Sequence, residues 1–462
     1  MNPSFVFQRF GLGLFLLLHL LAIRALATEE ISLLNSSFLN VPTNSETFAK
    51  TQAVLDYYGV PNETDPGPDF SDVEGQQTLQ GAQVLLKYFD PQGLFSRLSK
   101  LSSSKIEVFQ DLDQKKISDF SLNLRVGVEL QDEMLLPLRP NLPLQGLKIA
   151  LDPGHMGGEF WDKYTGKYVA DDKGNVVSEG VINLQACLLL RDRLESLGAQ
   201  VMITHEGLQP VTSLDHEKFD IKPFAREELR NSIHTDWFLT LISKYPNGQT
   251  LFDAFDASPE RKKLFSEHSR GFYFTDRSEL WARAQKINQF NPDLVLILHH
   301  DTSDTNGGSG VNPQAPNRTK AFIVGGFQAN ELGASSRRKY FVHHLMNQKS
   351  WDQSLSLSRH ILQKMHQRLN LDIAPQGTGG PLSYYVEPGI FARDLNIPRM
   401  LKAPVISYLE CLFYNGPKEF YAFLNATHPL QIDGKNIPYS DRTAQEVDAI
   451  SEGIVEFAQE HL

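Results

Sequence analysis

The sequence predicts an α/β fold, a mixed and mostly parallel sheet flanked by helices, with inserted segments and a small N-terminal accessory region. Two observations predict it. From residue 146 onward, short apolar runs alternate with stretches of helical spacing, the pattern of strands covered on both faces. Several of those runs also end in a histidine or a carboxylate, and open α/β sheets gather ligand sites outside their strand ends.

Taken in order, Ile149, Ala150 and Leu151 read as a buried strand that Asp152-Pro153-Gly154 ends in a turn, leaving His155 at the sheet's edge. Ser178 is a fitting N-cap for a helix over 179–197, and Gly198 fits its stop. Strand 199–204 follows, then a helix over 277–289 feeding strand 293–298. A strand over 319–325, a helix over 353–369, a strand over 404–409 and a closing helix over 443–461 complete the series. Upstream, 75–101 has helical spacing and 105–138 shifts to strand-like alternation, as in Phe120–Leu130. Pro137, Pro140 and Pro143 then punctuate a linker, so 28–143 reads as the accessory region.

Residues 1–27 differ from the rest. Arg9 precedes an apolar run over 10–23, and Ala25-Leu26-Ala27 has the small-x-small pattern of a cleavage site, which reads as a secretory signal peptide. The expected product is exported, secreted or periplasmic, without stable membrane insertion, because that run is short for a bilayer span and Arg24 interrupts it. With 44 basic against 55 acidic residues the chain carries a formal charge of −11, which disfavours nucleic acid as a partner. The two cysteines, Cys187 and Cys411, both lie in apolar elements and read as unpaired core thiols.

The chemistry-bearing residues arrive at element ends. His155 ends the first strand, Glu179 starts the first helix, and His299 and His300 end the strand over 294–298. Two imidazoles and a carboxylate form a catalytic type of zinc site, three protein ligands with a position open for water. Glu179 could equally be a charge favoured by the helix dipole, and the His-His pair a polar strand terminus. Glu410 sits among Leu409, Cys411, Leu412 and Phe413, where a carboxylate is costly unless paired, metal-bound or catalytic. Successive strand residues point oppositely, so only one of His299 and His300 should reach a metal.

Four ordered segments carry a resemblance: KIALDPGH, SEGVINLQACLLLRDRLESLGAQVMITH, LWARAQKINQFNPDLVLILHHD and LKAPVISYLECLFYNGPKEF. Together they resemble the zinc-dependent N-acetylmuramoyl-L-alanine amidases whose catalytic domain opens on a DPGH-type strand. The resemblance covers about 146–462. It implies a phosphorylase/hydrolase-like amidase domain that cleaves the amide between muramic acid and the first L-alanine of the peptidoglycan stem peptide. It implies one Zn2+ held by His155, Glu179 and His299, with Glu410 as the catalytic carboxylate. Asn183, Arg283 and Asn288 match polar positions of the family. With His300, which stands where the family usually has a small residue, they are candidates for orienting the ligands or touching substrate. The implied partners are peptidoglycan, through stem peptide and glycan, and an activator protein. Two rivals remain: another periplasmic zinc peptidase, and a non-catalytic wall-binding or regulatory protein that kept the amidase fold.

The chain departs from that pattern in three places. Met156 displaces the usual Gly-Gly after the histidine. An insertion over about 206–275 is expected to be a helical subdomain with its own small core, rather than an aromatic glycan platform. Residues 328–352 stand where a mobile lid is expected, since Leu332-Gly-Ala-Ser-Ser-Arg-Arg looks too polar for buried core.

Overall fold

A computed structural model describes residues 45–60, 79–124, 142–303 and 310–461; the expected signal peptide over 1–27 lies outside the described residues. The central sheet contains β1 (Lys148–Pro153), β2 (Gln200–Ile203), β3 (Leu294–Asp301), β4 (Arg318–Val324), β5 (Asp372–Ile373), β6 (Ser383–Glu387), β7 (Ile390–Arg393) and β8 (Val405–Phe413). Their order is β6-β7-β4-β8-β3-β1-β2, with β5 paired to β4. Strands β2, β1, β3 and β8 are parallel, and β4 runs antiparallel to β8, so the sheet is mixed. The parallel strands are runs of Val, Ile and Leu because both of their faces are buried.

The principal flanking helices are α1 (Glu179–Ser196), α2 (Lys222–Asn231), α3 (Leu280–Phe290), α4 (Ser335–Leu345), α5 (Gln348–Leu369) and α6 (Asp441–His461). Helix α6 packs between α5 and α1, and α5 covers β8 and β4. The Ser178 hydroxyl accepts from the Val181 amide and caps α1, and Gly198, at φ 99°, turns the chain back toward β2.

Two strands run further than their sequence suggests. Strand β3 continues through both histidines to Asp301, and β8 passes Glu410 to Phe413, because the ladder between them holds Glu410 opposite His299 and resumes at Phe413 opposite Asp301. The register shift after Glu410 is a bulge, which re-aims side chains without ending the strand. Likewise α3 begins at Leu280, three residues later than the periodicity indicates, because one π-helical stretch (Phe274–Glu279) precedes it.

The stretch expected to be too polar for buried core is buried all the same. Residues 329–332 form a short turn of helix, and α4 follows as packed structure. Arg337 and Arg338 are buried because each guanidinium has carboxylate partners: Arg337 pairs with Glu331 and Glu227 at 2.9 and 2.8 Å, and Arg338 with Asp119 at 2.7 Å. Pairing removes most of the cost of burying those charges, which composition alone does not reveal.

The insertion is helical, and its core is divided. Phe238, Leu251 and Phe255 join the main hydrophobic core together with Val54 and Leu55 of the helix Ser45–Tyr57, and Tyr57 stacks on Phe252 at 4.2 Å. A separate small core holds Met156, Trp161, Phe219, Ile221, Tyr273 and Phe274. Met156, fully buried there, ties the loop after His155 to the insertion. The described parts of 28–143, including the three-stranded sheet over 99–123, share the main core. Among the described residues no helix is long and apolar enough to cross a membrane.

Candidate metal centre

At the C-terminal edge of β1 and β3, the ligand atoms of His155, Glu179 and His299 all lie within 4.8 Å of one another. Glu179 Oε1 is 3.3 Å from His155 Nε2 and 3.0 Å from His299 Nδ1, and the two rings meet at 4.6 Å with their planes perpendicular. Each donor is placed by a distinct device. His155 leaves β1 in the left-handed region at φ 62°, a conformation uncommon for a residue with a Cβ. Gly154 is required beside it, since a Cβ there would fall 2.4 Å from the His299 ring. Glu179 is the first residue of α1, and Gly180 lets that helix approach the Met156 carbonyl, where a Cβ would lie 2.3 Å from the oxygen.

The electrostatics suit a cation. Burial pushes His155 down and His299 down to about 4, so both imidazoles are neutral near pH 7 and keep a lone pair. Burial alone would raise the Glu179 carboxyl, but the two facing rings outweigh it and hold the group well below the usual carboxylate range. Two neutral imidazoles and one carboxylate, converging on one point and partly open to solvent, are the donor set of a catalytic zinc site. The residues present therefore fit that ion.

Glu410 is the ladder partner of His299 and shares its face of the sheet, together with Tyr408, whose ring stacks on His299 at 4.6 Å and 12°. Burial, then the negative charges of Asp301 and Glu179, raise the Glu410 carboxyl well above its ordinary value; Lys320 and Lys167 oppose the shift. Lys320 itself pairs with Asp301 at 2.5 Å.

The other expected residues surround the centre rather than enter it. His300 points to the opposite face and is fully buried: Nδ1 faces Asn183 Oδ1 at 2.7 Å and Nε2 faces Glu446 Oε2 at 3.0 Å. Contact between its ring and substrate is thereby excluded. Asn183 uses its amide to donate to the Gly154 carbonyl at 3.0 Å, so α1 and α6 jointly brace the turn before His155. Arg283 is likewise buried and cannot reach substrate; it donates to the carbonyls of Pro153 (2.6 Å) and His155 (2.9 Å) and to Glu279 (2.7 Å). Asn288 lies at the far end of the sheet, where it bonds the backbone of Met400 and Lys402 just before β8 begins.

Sequence reasoning missed Asp152, Glu279, Tyr408 and Glu446. Asp152 is buried, accepts from Thr204 Oγ1 at 2.5 Å and lies 3.5 Å from Arg283. The Glu279–Arg283 spacing of four residues was a readable signal for a helical ion pair. Glu446 left no signal, since its partner is 146 residues away. Cys187 and Cys411 are free and buried, as their apolar settings indicated.

The sequence matches no protein-family profile and no curated protein. Solved structures similar to the chain include several amidases. One is the CwlD amidase of Clostridioides difficile in complex with the GerS lipoprotein, at 15% identity and TM-score 0.36, covering 68% of this chain and 100% of that one. Another is Ami1 of Mycobacterium smegmatis, at 13% and 0.35, covering 69% and 99%. A third is AmiC2 of Nostoc punctiforme, at 11% and 0.33, covering 68% and 99%. Similarity at this level carries no functional weight.

Proposed function

We propose that this protein is a zinc-dependent hydrolase that cleaves the amide between N-acetylmuramic acid and L-alanine in peptidoglycan. What carries the reading is the convergence of His155, Glu179 and His299 with Glu410 beside them on the same face of the sheet. The segments that resemble the amidases supply the substrate. His155, Glu179 and His299 would hold one Zn2+, which when bound would acidify a water and polarise the scissile carbonyl.

The chain's own residues do the remainder. Glu410 takes the proton of the attacking water and later delivers it to the leaving amine of L-alanine. Tyr408 fixes the plane of the His299 ring, while Arg283 and Asn183 fix the backbone that presents His155. The expected export of the chain would place it at the cell wall, and an activator protein remains part of this proposal.

The test combines metal content with product chemistry. The purified protein should carry one zinc and should release stem peptides with a free N-terminal L-alanine from sacculi, an activity abolished by chelator. Glu410→Gln should keep the zinc and lose about 10²–10⁴-fold in turnover. Undiminished turnover in that variant, or products cut elsewhere in the stem, would overturn the assignment.

A further inference from the structure

Away from the metal centre, a cavity of about 770 Å³ opens between α2, α3, α4 and Val60. It has the size of a site for a small organic molecule. Arg226, Arg230, Arg277 and Arg337 are among its lining residues, with Glu227 and Asp276. Both carboxylates are already committed, Glu227 to Arg337 at 2.8 Å and Asp276 to Arg277 at 2.9 Å. Behind the wall, Glu228 also meets Arg277 and Glu331 also meets Arg337. Arg226 has no ion-pair or hydrogen-bond partner among the described residues. Arg277 and Arg337 are more than nine-tenths buried, yet the Nε of each lacks a hydrogen-bond acceptor. Buried polar atoms of this kind are ordinarily satisfied; Glu228 Oε1 beside Arg277 also lacks a hydrogen bond, so both donors and an acceptor of this cluster are incomplete. Burial, and next the charge of Arg337, also press Arg277 down to about 9, the mark of a cation crowded by another cation. The rings of Trp281 and Phe224 supply an apolar side.

We propose that this cavity binds a small organic anion, its carboxylate or phosphate group held by Arg226 with Arg277 and Arg337 and its apolar body against Trp281 and Phe224. Planar guanidinium groups bind either oxyanion, and Arg226 lines this cavity with no carboxylate partner among the described residues. The site is independent of the metal centre and of the amidase reading.

Calorimetric titration of the full chain tests it with three probes: N-acetyl-L-phenylalanine, phenyl phosphate, and the neutral N-acetyl-L-phenylalanine amide. Saturable binding of one or both anions is expected, with the neutral amide binding at least 10-fold more weakly. The ratio between the two anions tells a carboxylate ligand from a phosphate one. Arg226→Gln, at a partly buried position with no ion pair among the described residues, should weaken the anion at least 10-fold, and Arg226→Lys less. The proposal is overturned if neither anion saturates, if the neutral amide binds as well, or if Arg226→Gln leaves affinity unchanged.

Discussion

The His299 ring keeps its place beside His155 only because the residue before His155 has no side chain. Gly154 is in contact with the His299 ring, and a Cβ placed there would lie 2.4 Å from the nearest of its ring atoms. Those atoms belong to a ring fixed on its other side by Tyr408, so it cannot retreat without leaving its stack. Gly154→Ala is therefore expected to displace one of the three donors while leaving the sheet intact. The purified variant should retain its far-UV circular dichroism and lose zinc at dialysis equilibrium under conditions where the parent keeps one ion. Stoichiometric zinc at parental affinity would show that His299 is not a ligand. His155 adds a second local demand, since its φ of 62° is sustained by the carbonyl contacts of Asn183 and Arg283 on either side of it.

At the scale of elements, α3 and β1 are joined through one buried guanidinium. Arg283 holds two carbonyls of the turn after β1 and pairs with Glu279 of the preceding helical turn, with Asp152 close by. Burial raises the Asp152 carboxyl even though Arg283 and the Thr204 hydroxyl pull it down, so this acid is held at a cost. Arg283→Met would leave Glu279 buried without its cation and should destabilise the fold by about 3–5 kcal/mol in urea unfolding. Arg283→Met combined with Glu279→Gln should recover part of that loss, because the stranded charge is removed. A single variant with parental stability would mean that the clamp contributes no net energy. The contrast with α4 is instructive: there the same kind of pairing, Arg337 and Arg338 with Glu331, Glu227 and Asp119, turns an apparently polar segment into core.

Across the whole molecule, what was legible in the sequence was local. The strand-helix alternation from β1 to α6 and the Ser178 cap could be read because each depends on near neighbours in the chain, whereas His155, Glu179, His299 and Glu410 were singled out together only by the ordered segments that resemble the amidases. What was not legible depends on partners far away: the bulge that carries β8 past Glu410, Glu446 as the partner of His300, and the shared core of the accessory region and the insertion. His234 stands at that last junction, beside Thr47 and Phe48 of the N-terminal helix and Asp111 near the three-stranded sheet. Burial, and next the charges of Arg338 and Arg97, push it down to about 3. An unfolded histidine titrates near 6.5, so between that pH and about 3 the unfolded chain binds a proton that the folded chain refuses. The stability contributed by neutral His234 is thus complete above about pH 6.5 and is lost as pH falls toward 3. His234→Gln removes this titration and leaves every other group in place, so the difference in unfolding free energy between parent and variant isolates it. That difference should move against the parent by about 3 kcal/mol between pH 7 and pH 4, since each pH unit below 6.5 costs the folded state about 1.4 kcal/mol. A difference that stays constant across this range would mean that His234 is protonated in the folded protein and that the junction between the two regions is open to water.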